Sequence, residues 1–286
     1  MAAADQIIAR AVERLRAGGL VAFPTETVYG LGADALSERA VSAVFALKGR
    51  PSHNPLIVHV DGPAMALRVC AAWPDDAEKL AAAFWPGPLS IVLPRAAAVP
   101  DLVTAGGPSV AVRCPDHPLT LGLLRAFGGP LVGPSANPSG RVSPTTAAHV
   151  RAAFTDEQVM VLDGGPCRAG IESTVVSLTG PRPRVLRPGV IGAAAIAAVL
   201  GREVEEAAAS TASPATDVPL ESPGLLDTHY APLTPAVLID PGALAAAAAP
   251  GTVIIARAAD AVPPGMTAIR LPDDARNDPA ALAALP

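Results

Sequence analysis

The sequence predicts an α/β protein with a polar cleft suited to anions. Short apolar runs, each ended by proline or glycine, alternate along the chain with segments whose apolar residues recur at helical spacing. Loops of small hydroxyl and amide side chains follow several of these runs. Half of the 286 residues are apolar, enough for a sizeable core.

Asp5 to Ala17 predicts a first helix, closed by Gly18-Gly19 before a strand through Val21-Ala22-Phe23 that Pro24 ends. A loop follows, offering Thr25, Glu26, Thr27 and Tyr29, with Gly30 and Gly32 permitting unusual backbone angles. Ser37 is the N-cap of a helix carrying Ala40, Val41, Val44, Phe45 and Leu47 at helical spacing; Gly49 and Pro51 end it. Lys48 and Arg50 stand at its exit, where a cation either complements the helix dipole or meets a bound anion.

Pro55 to Val60 predicts a strand with Leu56, Val58 and Val60 on one face and Ile57 and His59 on the other. His59 is either a satisfied core histidine or a ligand-binding one. Asp75 to Phe84 is a helix, and the Trp85-Pro86-Gly87-Pro88 turn, needing no function beyond its geometry, feeds a strand over Leu89 to Leu93. On the next strand Val110 and Val112 point into the core, while Ser109, Ala111 and Arg113 share the opposite face. Ser109 and Arg113 are then about 13 Å apart at ~3.3 Å per residue. That face is either exposed sheet or a shared cleft, with a nucleotide at one end and an amino-acid carboxylate at the other.

Leu119 to Ala126 is helical, and Pro130 to Gly133 is a strand opening into Pro134-Ser135-Ala136-Asn137-Pro138-Ser139-Gly140, a setting for hydrogen bonds to a phosphate or ribose. Ser143 as N-cap and Pro144 in the first turn start a helix running to Phe154, whose free N–H groups also suit an anion. Strands over Val159–Leu162, Glu172–Leu178 and Arg184–Arg187 precede a helix over Ile191–Leu200. No GxxxxGK[ST] is present, and no GxGxxG follows a strand.

From Glu205 to Leu233 the composition is that of a linker, yet Ser222-Pro223-Gly224 and His229-Tyr230 predict a docked segment, a lid over the cleft. Pro235–Asp240, Thr252–Ala256 and Ala268–Leu271 predict strands around a short Ala-rich helix, and a last helix begins at Pro279. The expected organisation is residues 1–204 as the catalytic domain, 205–234 as linker and lid, and 235–286 as a small C-terminal α/β domain.

A net charge of −5 and few aromatic residues argue against a broad nucleic-acid footprint. Cys70, Cys114 and Cys167 are far apart, without zinc spacing, as suits a reducing compartment. With neither a signal-peptide layout nor a run long enough to span a bilayer, the expectation is a cytoplasmic protein without membrane attachment.

The Pro24-Thr25-Glu26-Thr27-Val28-Tyr29-Gly30-Leu31-Gly32 stretch, with Lys48-Gly49-Arg50-Pro51 and Asn54-Pro55-Leu56, resembles the signature of the L-threonylcarbamoyladenylate synthases. The likeness covers residues 5–200. It implies a YrdC-like twisted mixed sheet whose flanking helices form a basic cleft. A linker and a small Rossmann-like C-terminal domain, incomplete relative to that family, follow. It further implies ATP, L-threonine and bicarbonate as substrates, Mg2+ entering with ATP, and an adenylate product used by a threonylcarbamoyl transferase complex for t6A modification of tRNA at position 37. No stable nucleic-acid binding is expected. By the same resemblance Lys48 and Arg50 stabilise the reacting phosphates, and Thr27, His59, Arg113, Gly133 and Ser173 hold threonine. Arg50, Asn54, Ser109, Ser135, Ser143, Arg187 and Tyr230 hold ATP. A non-catalytic RNA-binding YrdC-type module predicts a basic patch that the acidic balance does not support. Carbamoyl transfer in hydrogenase maturation expects CxxC pairs and an acylphosphatase-like segment, neither of which is present.

Overall fold

The computed structural model describes residues 2–206, 222–223, 237, 239–247, 251–257 and 262–271. Helix α1 (Ala2–Arg16) buries Ala11, Val12 and Leu15, and strand β1 (Leu20–Phe23) is buried throughout. The segment after it departs from expectation. Gly30 and Gly32 belong to a strand, β2 (Gly30–Asp34), rather than to a loop, and neither has a positive φ. What these glycines supply is space, because a methyl at Gly30 or Gly32 would lie 2.8 or 2.9 Å from the Phe23 ring on the adjacent strand.

Helix α2 (Glu38–Lys48) forms as its signals predict. Ser37 Oγ accepts from the Ala40 amide at 3.3 Å, and Gly49 closes the helix in the left-handed region at φ 59°. Strand β3 (Ile57–His59), short helix α3 (Pro63–Ala66) and helix α4 (Asp75–Phe84) follow. Next come β4 (Leu89–Pro94), β5 (Ser109–Arg113), α5 (Pro118–Phe127) and β6 (Leu131–Val132). Helix α6 (Ala147–Ala153) starts later than expected: its N-cap is Thr146, whose hydroxyl accepts from the His149 amide. Ser143 cannot cap it. The Pro144 carbonyl is drawn away to the Tyr29 amide, and Ser143 Oγ donates to Glu172. Strands β7 (Val159–Val161), β8 (Thr174–Ser177) and β9 (Arg184–Arg187), helix α7 (Ala193–Leu200) and β10 (Glu205–Glu206) complete this part.

Among the described residues ten strands form one mixed sheet, in the order β10-β9-β8-β4-β5-β3-β6-β2-β1-β7. Its edge runs to residue 206, two residues into the stretch expected to be linker. The alternation read from the sequence holds. Leu56, Val58, Val60, Val110 and Val112 join the large core beneath the helices, whereas Ile57 and Ala111 join Val92, Val175 and Leu186 in a small cluster on the other face. Parallel pairing of β3 with β5 sets His59 beside Arg113, so both project on the side away from the main core. That register creates the site. Farther along, α8 (Leu244–Ala247) precedes a parallel pair, β11 (Val253–Arg257) and β12 (Thr267–Leu271), matching two of the three strands expected there. Residues 237, 239 and 240 carry no regular structure; the rest of the third expected strand, and the helix from Pro279, lie outside the described residues. Among the described residues no helix is long and apolar enough to cross a membrane.

If α2 anchors Lys48 and Arg50 through its cap, Ser37→Ala should cost about 1 kcal/mol. The change should appear as a lower urea midpoint with an unchanged slope.

Candidate active site

The site lies where β3 and β5 end beside the loop between β1 and β2. Arg113 is 3% exposed and is held from behind: its Nη2 donates to Glu26 Oε1 at 2.6 Å and its Nε to the Gly87 carbonyl at 3.3 Å. The Trp85–Pro88 turn therefore contributes a carbonyl to the site, beyond the purely geometric part expected of it. Nη1 makes no hydrogen bond among the described residues, and the guanidinium lines a small cavity. His59 shares that wall. It packs edge-on against Phe23 at 5.2 Å, and Nδ1 is buried with no hydrogen-bond partner among the described residues. Burial first, and the Arg113 charge second, hold its pKa well below the usual histidine range, so the ring is neutral. A neutral imidazole with an unspent buried nitrogen asks for a hydrogen-bonding ligand group. Gly133 makes the arrangement possible, since a methyl there would sit 2.5 Å from His59 Nδ1 and 2.7 Å from Phe23 Cζ.

The expected Lys48–Arg50 pair divides. Arg50 lines the cavity, and its guanidinium donates to Asn54 Oδ1 and the Pro55 carbonyl, each at 2.7 Å, so Asn54 acts by orienting Arg50. Lys48 faces elsewhere. It is 3% exposed, and Nζ donates to the carbonyls of Ser135 and Asn137, so the ammonium ties α2 to the 134–140 loop. Burial, reinforced by Arg50 and opposed by Glu172, lowers its pKa from the ordinary 10.5 to about 7. A neutral amine still has two N–H groups, enough for both carbonyls. Ser135 lies in the cavity wall that this loop forms.

The third side is built from the end of β9 and the strand before it. Arg187 donates from Nε and Nη2 to the Ser173 carbonyl at 3.1 and 2.9 Å, and from Nη2 to Ser173 Oγ at 3.1 Å. Ser173 is fully buried, also shares a hydrogen bond with Ser90, and supports Arg187 from beneath. Thr27 is likewise fully buried and bonded to Thr25 Oγ1 at 2.9 Å, so within that loop Thr25 is the threonine on the cavity wall. Glu172 and Arg187 face both this cavity and an adjoining open one of about 650 Å³ that contains Ser143. The Pro223 carbonyl accepts from Arg187 Nη1 at 3.5 Å and Pro223 closes the near side, bringing one residue of the expected lid to the site. Tyr230 lies outside the described residues. Ser109 is set apart: it opens on a separate cavity of about 880 Å³ at the far end of β5, with Ala111 packed in the small apolar cluster between it and Arg113.

The central cavity measures about 30 Å³, room for about two waters, and shares Glu172 and Arg187 with the open cavity beside it. The structure adds Thr25, Val28, Gly30, Glu172 and Pro223 to the wall, and Glu26 behind it. Glu172 had a sequence signal in the polar Glu172-Ser173-Thr174 start of an otherwise apolar strand. Glu26 had none beyond lying in the loop, because its partner is 87 residues away.

Lys48→Met should strand two buried carbonyls and cost about 2–4 kcal/mol, as expected for unsatisfied acceptors. Because the folded pKa lies below the unfolded one, the unfolded chain holds the Lys48 proton more tightly, and its contribution to stability rises with pH from about 7 toward 10.5. Urea unfolding at pH 7 and pH 9 should show a wild-type gain with pH that Lys48→Met lacks.

Comparison with known proteins places this geometry. The Sua5_yciO_yrdC family model, described as "Telomere recombination", matches residues 13–189. The threonylcarbamoyl-AMP synthase of Pyrococcus abyssi is 44% identical over 236 residues, covering 79% of this chain and 66% of that one. That of Bacillus subtilis is 44% identical over 237 residues, covering 82% and 67%. The chain thus spans about two thirds of the length of these curated relatives. A crystal structure of P. abyssi Sua5 complexed with L-threonine aligns with a TM-score of 0.85 at 38% identity, over 96% of this chain and 82% of that chain. The twisted mixed sheet, the motif loops and relatives at this level of identity agree: the chain belongs to the Sua5/YciO/YrdC family.

Proposed function

We propose that this chain is an L-threonylcarbamoyladenylate synthase, joining L-threonine, bicarbonate and ATP with release of pyrophosphate to serve t6A formation on tRNA. The observation that carries it is the cavity wall in which a buried Arg113 with an unspent Nη1 adjoins an imidazole with an unspent Nδ1, facing Arg50 and Arg187. A guanidinium edge suits a carboxylate, and a neutral imidazole nitrogen suits a hydroxyl or amine donor. One amino acid with a polar side chain offers both. The synthases of P. abyssi and B. subtilis, and the threonine complex of the former, support threonine as that amino acid.

The chemistry asks for placement and charge rather than a covalent nucleophile. Threonine's amine and bicarbonate lose water to form a carbamate, whose oxygen attacks the α-phosphate of ATP and expels pyrophosphate. Arg50 and Arg187 meet the phosphates, and Arg113 fixes the carboxylate. Ser143, beside Glu172 and Arg187 in the adjoining cavity, is positioned for the nucleotide. Magnesium would arrive on the phosphates. Among the described residues no three acidic, His or Cys side chains gather to hold a metal, and Glu172 is the one carboxylate in the described wall, so the phosphates and water would be its principal ligands. When bound, the ion would neutralise phosphate charge. The product is consumed by a threonylcarbamoyl transferase complex, and the acidic balance of the chain favours handing over the adenylate rather than holding tRNA.

Pyrophosphate release should require ATP, threonine and bicarbonate together; equal release without threonine would end the assignment. In a second test, Arg113→Ala should weaken threonine binding by about 2–4 kcal/mol and leave ATP binding nearly intact. Because it strands Glu26, it should also lower folding stability by about 3–5 kcal/mol. Calorimetry with each ligand and urea unfolding separate the two effects.

A further inference from the structure

Glu26 stands behind the cavity, not in its wall, and every part of it is fixed. Oε1 takes Arg113 Nη2 at 2.6 Å and Oε2 accepts from the Asp116 amide at 3.0 Å. Its carbonyl accepts from the Ala169 amide at 2.8 Å, and that of Thr27 accepts from Gly170 at 3.1 Å. Thr25 Oγ1 accepts from the amides of Thr27 and Val28 at 3.1 and 3.2 Å, locking the turn that carries Glu26. Two segments remote in sequence, 113–116 and 169–170, thus join the turn in holding one carboxylate against one guanidinium, both about 5% exposed or less. Nothing in the proposed chemistry uses Glu26, yet burying an acid beside the substrate end of the cavity is costly unless its charge has a purpose.

We propose that Glu26 is a positioning residue that makes the Arg113 subsite select a zwitterion over a simple anion. This rests on the assignment of Arg113 to an amino-acid carboxylate. A guanidinium has five N–H donors, of which Glu26 and Gly87 occupy two, leaving three. The fork is therefore already aimed, with its remaining donors toward the cavity, and binding does not have to order it. Electrostatically, Glu26 cancels the Arg113 charge before any ligand arrives. Arg50 and Arg187, the other cations of the wall, are assigned to the phosphates, so at the Arg113 end a carboxylate without an ammonium group would bring a second negative charge to the one guanidinium there. An amino acid brings its own cation, and the one carboxylate in the described wall is Glu172, which also accepts from Ser143 Oγ at 2.8 Å and lies 4.0 Å from Arg187 Nη2. The subsite rewards hydrogen-bond geometry and net neutrality, rather than negative charge as such. That rejects the many hydroxy and keto acids that share threonine's carboxylate.

The test is calorimetric titration of the full chain with L-threonine and with 3-hydroxybutyrate, which is threonine without its amino group. Wild type should prefer threonine by a hundredfold or more. Glu26→Gln keeps the shape and removes the charge, and should narrow that preference at least tenfold by strengthening 3-hydroxybutyrate. Glu26→Asp keeps the charge at a shifted position; it should retain most of the preference even where both affinities fall. An unchanged preference in Glu26→Gln, or an equal loss for both ligands, would overturn the proposal and leave Glu26 a structural anchor. Should Glu26→Gln fail to fold by circular dichroism, the Asp variant decides, and loss of preference there would count equally against it. Wild type that binds no threonine would remove the Arg113 assignment itself, whereas threonine binding with an unmoved preference removes only the role of Glu26.

Discussion

The buried ion pair between Arg113 and Glu26 is the constraint on which the site depends. A guanidinium at the end of a central strand, 3% exposed, would be intolerable without a partner. The partner comes from the loop after β1, a strand four positions from β5 in the sheet order. Holding the pair therefore fixes the path of the β1–β2 loop over the sheet. The Asp116 amide, on the far side of the same carboxylate, fixes the entry to α5. One interaction joins the signature loop, the strand carrying Arg113 and the turn behind it, so substrate recognition and local folding cannot be separated there.

Packing sets the second constraint. Phe23 lies across Gly30 and Gly32 and reaches His59, and Gly133 leaves the gap into which the imidazole fits. Side chains at these glycines would collide with a ring rather than merely crowd it, because interiors at this density cannot yield half an ångström cheaply. Phe23 in turn fixes the ring plane of His59, and burial keeps that ring neutral. The polar end of the site is thus shaped from beneath by an apolar contact.

Much of this was legible in the sequence, and the boundary is physical. Periodicity placed α2, β3, α4 and β5 closely, because each buries one continuous face and is bounded by a cap or a proline. It also gave the strand face that carries His59 and the one that carries Arg113, since alternation is local; that the two faces coincide depends on the pairing of β3 with β5. Hidden were facts depending on partners far away in the chain. The glycines of β2 look like turn residues until Phe23 is seen lying over them. Ser143 looks like an N-cap until Pro144 is seen pairing with Tyr29, which leaves the cap to Thr146. Lys48 looks like a free cation until the carbonyls of Ser135 and Asn137 are found at its nitrogen. Motif resemblance located these residues, but it could not say which ones face the cavity and which hold the others in place.

That division has a consequence for how the site opens. The groups behind the wall are fixed by networks: Glu26 by residues 113–116 and 169–170, Ser173 by Ser90 and Arg187, and the 134–140 loop by Lys48. Pro223 is held differently. Among the described residues its carbonyl accepts from Ser222 Oγ at 3.2 Å and from Arg187 Nη1 at 3.5 Å, the latter long for an N–H···O contact even with a charged donor. The adjoining cavity of about 650 Å³ also reaches Arg187, so a nucleotide can approach that guanidinium from there. Phosphate oxygens, themselves charged, compete well with a single carbonyl for Arg187. Contact of a phosphate with Arg187 would thus leave Arg113, His59 and Arg50 where the fold has already placed them, so the recognition geometry need not be rebuilt as substrate enters.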